Sequence, residues 1–149
     1  MRPLKDFEFY IKKGTIRKVS VDEYKAKSLV EDSTNKRDFL SKIMKKMSVD
    51  EINANFVVEQ MYDIVMQIIR SKLILEGYKA SGEGAHMAEV SYLRKLGFNE
   101  EEVIFVNNLR FFRNEIKYEG RKFELDYAIR VLNLVDKIIL KLKGNTGAQ

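Results

Sequence analysis

The polar side chains best suited to chemistry are concentrated in one segment of the chain, NNLRFFRNEIKYEG, at positions 107–120. The candidates for binding or catalysis in this segment are Arg110, Arg113, Asn114, Lys117 and Tyr118. Residues four apart share one face of a helix, which places Arg110, Asn114 and Tyr118 on a common surface. A guanidinium matches a phosphate bidentately, and an asparagine can orient a ribose hydroxyl or a base edge. The segment therefore predicts a site for RNA or for a nucleotide phosphate.

An amphipathic helix must present these groups, because apolar residues recur through the segment at three- and four-residue spacing. The predicted apolar stripe consists of Val103, Val106, Leu109, Phe112 and Ile116. Asn99 supplies an N-cap oxygen, and the three glutamates that follow it face the positive end of the helix dipole. Gly120 is a typical C-terminal stop. The sequence thus predicts a helix that begins after Asn99 and ends at Gly120.

The run RNEIKYEG, from Arg113 to Gly120, resembles the signature helix of HEPN domains in its archaeal-type form, RNxxKYxG. These small helical domains carry an Arg, a polar residue after it and a His a few residues on. The predicted order of elements is also similar: a long helix, a Gly-containing loop with His86, a short helix, the Arg-Asn helix and a last amphipathic helix. The resemblance covers residues 48–143. It implies a homodimer in which Arg113, Asn114 and Tyr118 of both copies line a cleft.

Tyr118 stands where the HEPN motif has histidine, and this departure bears on activity. RNA cleavage needs a group with a pKa near neutral to move a proton, whereas the reference pKa of tyrosine is about 10. We therefore expect binding of RNA or a nucleotide without efficient hydrolysis, with Arg110, Lys117 and His86 at the rim of the cleft. The resemblance leaves two alternatives. One is a metal-independent, toxin-like endoribonuclease. The other is an assembly module that partners a minimal nucleotidyltransferase or forms half of a toxin–antitoxin-like pair.

A purely structural role for the motif is a further alternative. Arg113 and Asn114 can form a buried polar lock that hydrogen-bonds the loop after Gly120 or a facing helix. Such charge-assisted bonds are worth about 1.5–3 kcal/mol each. In that case the polar groups stabilise the fold and bind nothing.

The whole pattern predicts an all-α fold: a four-helix up-down bundle with an N-terminal helical extension and no β-strand. We expect a basic extension over residues 1–47, the bundle over 48–143 and a frayed tail over 144–149. Two capping boxes, Ser20-Val-Asp-Glu and Ser48-Val-Asp-Glu, predict helix starts. The predicted helices are a short one at 4–13 that buries Leu4, Phe7 and Ile11, one long helix after Ser20, a very apolar one at 52–78, one from His86, the signature helix, and one at about 123–143.

Composition excludes several classes of protein. The chain has 149 residues, no Cys and one His, so thiolate sites and clustered imidazole ligands are impossible and no metal or other cofactor is expected. No apolar run suits a membrane span and no secretory signal is visible, which favours a cytoplasmic protein. The net charge of +5 comes from the N-terminal part: residues 1–47 carry 13 Lys and Arg against 7 Asp and Glu. This excess can favour a polyanionic partner, although a solvated lysine-rich surface is the commoner reason for such an excess.

Overall fold

The computed structural model describes residues 3–147, with side chains up to residue 144, and 73% of the chain is helical. The helices are α1 (Phe7–Lys13), α2 (Glu23–Lys46), α3 (Ala54–Leu75), α4 (Ala85–Ser91), α5 (Glu100–Glu119) and α6 (Leu125–Gly147), and a single 3-10 turn (Tyr92–Arg94) follows α4. The strands are β1 (Ile16–Lys18) and β2 (Tyr78–Ala80). The predominantly helical class is confirmed. Its arrangement as a four-helix up-down bundle and the division at residue 47 stay predictions.

Helix α3 lies at the centre of the fold because apolar side chains occupy nearly all of its faces. The long helices α2, α5 and α6 each contribute side chains to the core that surrounds it. Asn55, near the start of α3, holds the segment before α6: its amide donates to the carbonyl of Arg121 at 2.8 Å and its oxygen accepts from the Phe123 amide at 2.9 Å. These contacts fix where α5 ends and α6 begins.

A two-stranded antiparallel sheet corrects the prediction that the chain has no strand. Ile16 pairs with Ala80 and Lys18 pairs with Tyr78, so the segment after α1 is tied to the segment after α3. Gly77, at φ +79°, makes the turn from α3 into β2, and its carbonyl accepts from the Val19 amide at 2.8 Å. Each strand has only three residues, which is too short for an alternating apolar pattern to be visible in the sequence.

Two predicted capping boxes are wrong, for a shared physical reason. In each, an Asp two residues after the Ser takes the acceptor role. Asp22 caps α2 by accepting from the Lys25 amide at 2.9 Å, and Asp50 accepts from the Ile52 and Asn53 amides in a turn that precedes α3. Asp is at least as good an acceptor at such positions as Ser.

The other helix boundaries show both agreement and correction. Helix α2 is one unbroken helix, as predicted. Helix α1 buries Phe7 and Tyr10, whereas Ile11, predicted to face the core, is 39% exposed. Helix α6 runs through Gly147, beyond the predicted end at residue 143, so positions 144–147 of the predicted frayed tail are helical. Residues 148–149 of that tail lie outside the described residues.

The boundaries of α5 agree with the prediction. The Asn99 side chain accepts from the Glu102 amide at 2.9 Å, and the Glu102 carboxylate accepts from the Asn99 amide at 3.0 Å. Together they form a reciprocal capping box. Gly120 adopts the left-handed conformation, φ +67°, that ends the helix. Because its apolar stripe packs into the core, α5 presents its polar residues at a fixed orientation.

Candidate functional site

The polar face of α5 divides into a half-buried part and an exposed part. Arg110 and Asn114 are half-buried, and the side chain of Arg113 is only 14% exposed. Lys117 and Tyr118, one turn further on, lie in solvent, and Tyr118 is 76% exposed. The predicted set is therefore split by burial, and only the first three residues face other elements of the chain.

Arg113 is largely enclosed but poorly paired. Its Nη2 lies 3.5 Å from Asp63 Oδ1, and its Nη1 lies 3.5 Å from Asn114 Oδ1, both at the outer limit of a hydrogen bond. Its guanidinium carbon lies 5.4 Å from the centroid of the Tyr62 ring, a cation–π distance. Its Nε is buried and has no hydrogen-bond partner among the described residues. This is unlike a structural lock, in which the donors of a buried arginine are satisfied.

Tyr62 and His86 link α3 to α4 at this place. The Tyr62 hydroxyl lies 2.8 Å from His86 Nδ1, and Tyr62 is fully buried. Burial raises the pKa of Tyr62 above its ordinary value, so the phenol keeps its proton. No other acceptor in the described part of the chain hydrogen-bonds this hydroxyl. We therefore assign the phenol as the donor to Nδ1, which leaves the proton of the neutral imidazole on Nε2.

The electrostatic surroundings of His86 keep it neutral. Burial lowers the pKa of His86 below 6.5, and Arg70, Arg113 and Arg110 lower it further, against the opposing effect of Glu89. At pH 7 the imidazole is therefore uncharged and has an Nε2–H available as a donor. A group in this state can bind an anionic oxygen but has no free nitrogen lone pair with which to act as a base.

We expect the His86 ring signals to titrate with a pKa below 6.5 in the folded protein. The chain has a single histidine, so an NMR pH titration reports on this ring without assignment. Because the unfolded chain takes up the proton at higher pH, the free energy of unfolding should fall as pH drops from 6.5 through the folded pKa. In Tyr62→Phe, which removes the hydrogen bond to Nδ1, the pKa should rise relative to wild type. A wild-type pKa at or above 6.5 would contradict the conclusion that burial and the neighbouring arginines lower the pKa of this ring.

A buried ion pair holds α4 against α3 beside His86. Arg70 donates through Nε and Nη2 to the two carboxylate oxygens of Glu89, at 2.6 and 2.9 Å. The Glu89 side chain is 3% exposed, and that of Arg70 is 34% exposed. Such a bidentate contact fixes both distance and angle between the helices. It sets the position of α4 and therefore of His86, one turn earlier.

A cavity of about 230 Å³, open to solvent, is lined by the loop before α4, the start of α4 and the polar face of α5. Its lining consists of Gly82, Gly84, Ala85, His86, Met87, Arg110 and Asn114. Arg110 is oriented by Asn107, whose Oδ1 accepts from Arg110 Nε at 3.1 Å. An imidazole, a guanidinium and a carboxamide thus converge on one opening, and none of the residues in this described lining is acidic. The arrangement suits a phosphate or another oxyanion.

The structure brings together half of the residues predicted from the sequence. His86, Arg110 and Asn114 line one cavity, Arg113 lies largely enclosed beside Asn114, and Lys117 and Tyr118 lie outside the lining. Sequence reasoning did not find the residues that support the site, which are Tyr62, Asp63, Arg70 and Glu89. A usable signal was present: Asp63 and Arg70 are charged residues of α3 that lie seven apart and share a face. Whether each residue binds a ligand stays a prediction.

Comparison of the chain with protein-family models, with curated proteins and with solved structures finds no match. Within residues 3–147, no helix is both long enough and apolar enough to cross a bilayer. The same residues contain no group of three or more His, Asp or Glu side chains arranged to hold a metal ion. The geometry of the cavity is therefore the basis for any functional conclusion.

Proposed function

We propose that the protein binds RNA or a nucleotide through a phosphate seated in the cavity lined by His86, Arg110 and Asn114. The observation that carries this proposal is the convergence of three donors, from two helices, on one open cavity without a lining carboxylate. Arg110 supplies charge and paired donors, His86 supplies its Nε2–H, and Asn114 orients a ribose hydroxyl or a second phosphate oxygen. Arg113, which contacts Asn114 but does not line the cavity, adds positive electrostatic potential next to it.

The proposal includes a HEPN-like bundle that acts as a homodimer. The RNxxKYxG run on α5 supports it, as does the position of the run beside a short helix that contains His86. Tyr118 and Lys117, both exposed, then face the second copy or the ligand that it holds instead of their own cavity. A nucleotidyltransferase or other protein partner has no comparable support in the geometry.

Binding is favoured over hydrolysis by the state of the two candidate proton carriers. His86 Nδ1 is occupied by the Tyr62 hydroxyl, so its lone pair is not available. Tyr118 is 76% exposed, and its side chain has no hydrogen-bond partner among the described residues. The chain then holds the phosphate without moving the proton that RNA cleavage requires.

Arg110→Gln tests the proposal directly. Loss of a charge-assisted contact of about 1.5–3 kcal/mol should weaken binding of a 5′-phosphorylated RNA octamer roughly 10- to 100-fold, measured by fluorescence anisotropy at low salt. Ribose 5-phosphate should shift the His86 NMR signals of wild type and not those of the variant. The matched control is Arg130→Gln, which removes the same charge from an exposed site on α6 outside the cavity.

Two results would overturn the proposal. One is an octamer affinity that falls equally in Arg110→Gln and Arg130→Gln, since binding would then follow total charge alone. The other is no binding by wild type at low salt. Metal-independent cleavage of the octamer, abolished in Arg113→Ala, would instead establish the ribonuclease alternative.

A further inference from the structure

A second cavity, of about 160 Å³, adjoins the first and shares Gly84 and Met87 with it. Its lining also includes Pro3, Lys5, Phe9, Tyr10, Lys13, Thr15 and Glu83. The two openings therefore form one continuous surface that runs from the polar face of α5, past the loop before α4, to α1. Nothing in the proposed phosphate site accounts for this second part.

The second cavity contains an exposed aromatic ring with two cations near it. Phe9 is 41% exposed, and the ammonium groups of Lys5 and Lys13 lie 5.8 and 6.0 Å from its ring centroid. An exposed ring flanked by lysines matches the alternation of bases and phosphates in a single strand, because the ring stacks on a base while the ammonium groups meet the phosphates. An acidic peptide offers the charge but no flat π-surface to stack.

Phe9 is carried by a helix that is held in place. Phe7 and Tyr10, on either side of it in sequence, are buried, and the Phe7 ring packs against Tyr78 and Tyr92. Arg94 donates to the Lys5 carbonyl at 2.8 Å. The Phe9 ring also meets the Tyr10 ring edge-on, with centroids 5.2 Å apart. The ring is therefore oriented before any ligand arrives, which lowers the entropic cost of binding.

The charge around the two cavities favours a polyanion. Lys5, Lys13 and Arg110 line them, and of the described lining residues only Glu83 is acidic. Glu83 lies at the junction, beside Gly84, where it disfavours a phosphate. A strand crossing there would place a base or a ribose at the junction and its phosphates on either side.

We propose that α1 provides a base-stacking subsite for single-stranded RNA whose phosphate occupies the cavity on α5. This inference rests on the proposed function and specifies its ligand as a strand of several nucleotides. One phosphate lies against His86, Arg110 and Asn114. A base further along the strand stacks on Phe9, and the phosphates next to that base meet Lys5 and Lys13.

Phe9→Leu tests the subsite, because leucine keeps an apolar side chain and removes the π-surface. We expect it to weaken binding of the RNA octamer about tenfold, a typical effect of losing one base–aromatic stack, and to leave the ribose 5-phosphate shift of the His86 signals unchanged. The matched control is Phe39→Leu, on α2, whose ring is 64% exposed and lies outside both cavities. When an octamer carrying 2-aminopurine binds, stacking of that base on Phe9 should quench its fluorescence in wild type and in the control. The fluorescence should be quenched less in Phe9→Leu.

A second variant tests the charge independently of the ring. Lys5→Gln combined with Lys13→Gln should reduce the slope of log affinity against log salt by about 0.7 for each lost phosphate contact. If Arg110→Gln weakens octamer binding while Phe9→Leu and the lysine pair do not, the subsite is wrong and the phosphate site stands. If a poly-glutamate peptide competes as well as RNA of equal charge, the surface is a general polyanion site and the stacking proposal fails.

Discussion

Arg70→Met is expected to lower the free energy of unfolding by about 3 kcal/mol, at the low end of the range for breaking a buried ion pair. The loss comes less from the missing attraction than from Glu89, which is left charged and 3% exposed without its partner. The partial exposure of Arg70 keeps the effect from being larger. Urea denaturation of wild type and variant measures it.

The control for this prediction is the double variant Arg70→Met with Glu89→Met. Replacing a buried ion pair by apolar groups of similar volume is often nearly neutral, so most of the lost stability should return. A double variant as unstable as Arg70→Met would show that the bidentate geometry, and not the stranded charge, is what matters. The single variant should also raise the pKa of His86, because it removes a cation that lowers that pKa and leaves a carboxylate that raises it.

The helix that carries the site was predictable from the sequence because its signals are local. Asn99, the glutamates after it and Gly120 act within one turn of the helix ends, and the apolar stripe recurs from Val103 to Ile116. The same holds for His86, which follows directly on a glycine-containing loop. Where two local signals compete, as with Ser20 and Asp22, the sequence alone does not settle the boundary.

The support of the site was not predictable, because it depends on contacts between distant segments. Tyr62 appears in the sequence as one more apolar residue of α3, and only the packing of α4 against α3 brings its hydroxyl to His86. The paired residues of the two three-residue strands lie sixty or more positions apart, and neither strand has a pattern of its own. Likewise, the spacing of Arg113 fixes its face on α5 but not its depth, which follows from how closely α5 approaches Tyr62 and Asp63.

Arg113→Met should separate a functional role of this side chain from a structural one. We expect the free energy of unfolding to stay within about 1 kcal/mol of wild type or to rise. The variant removes a buried Nε that has no hydrogen-bond partner among the described residues, and it breaks two hydrogen bonds at 3.5 Å and the cation–π contact with Tyr62, all of them weak. Asp63 is left behind, but it is 39% exposed and can be hydrated. If Arg113 were a fully hydrogen-bonded structural lock, the variant would instead lower the free energy of unfolding by about 2–5 kcal/mol.

Arg37→Met provides the contrast that makes this result interpretable. Arg37 is comparably buried, yet it donates to both oxygens of Asp136 at 2.8 and 2.7 Å and to Ser41 at 2.9 Å. The Arg37→Met variant should lower the free energy of unfolding by about 2 kcal/mol.

A comparison of RNA binding then separates the two roles of Arg113. If Arg113 is kept for binding, Arg113→Met should weaken binding of the RNA octamer several-fold and raise the pKa of His86, while Arg37→Met should do neither. If Arg113→Met is as unstable as Arg37→Met and binds RNA like wild type, the guanidinium is part of the scaffold. The phosphate site would then consist of His86, Arg110 and Asn114 alone.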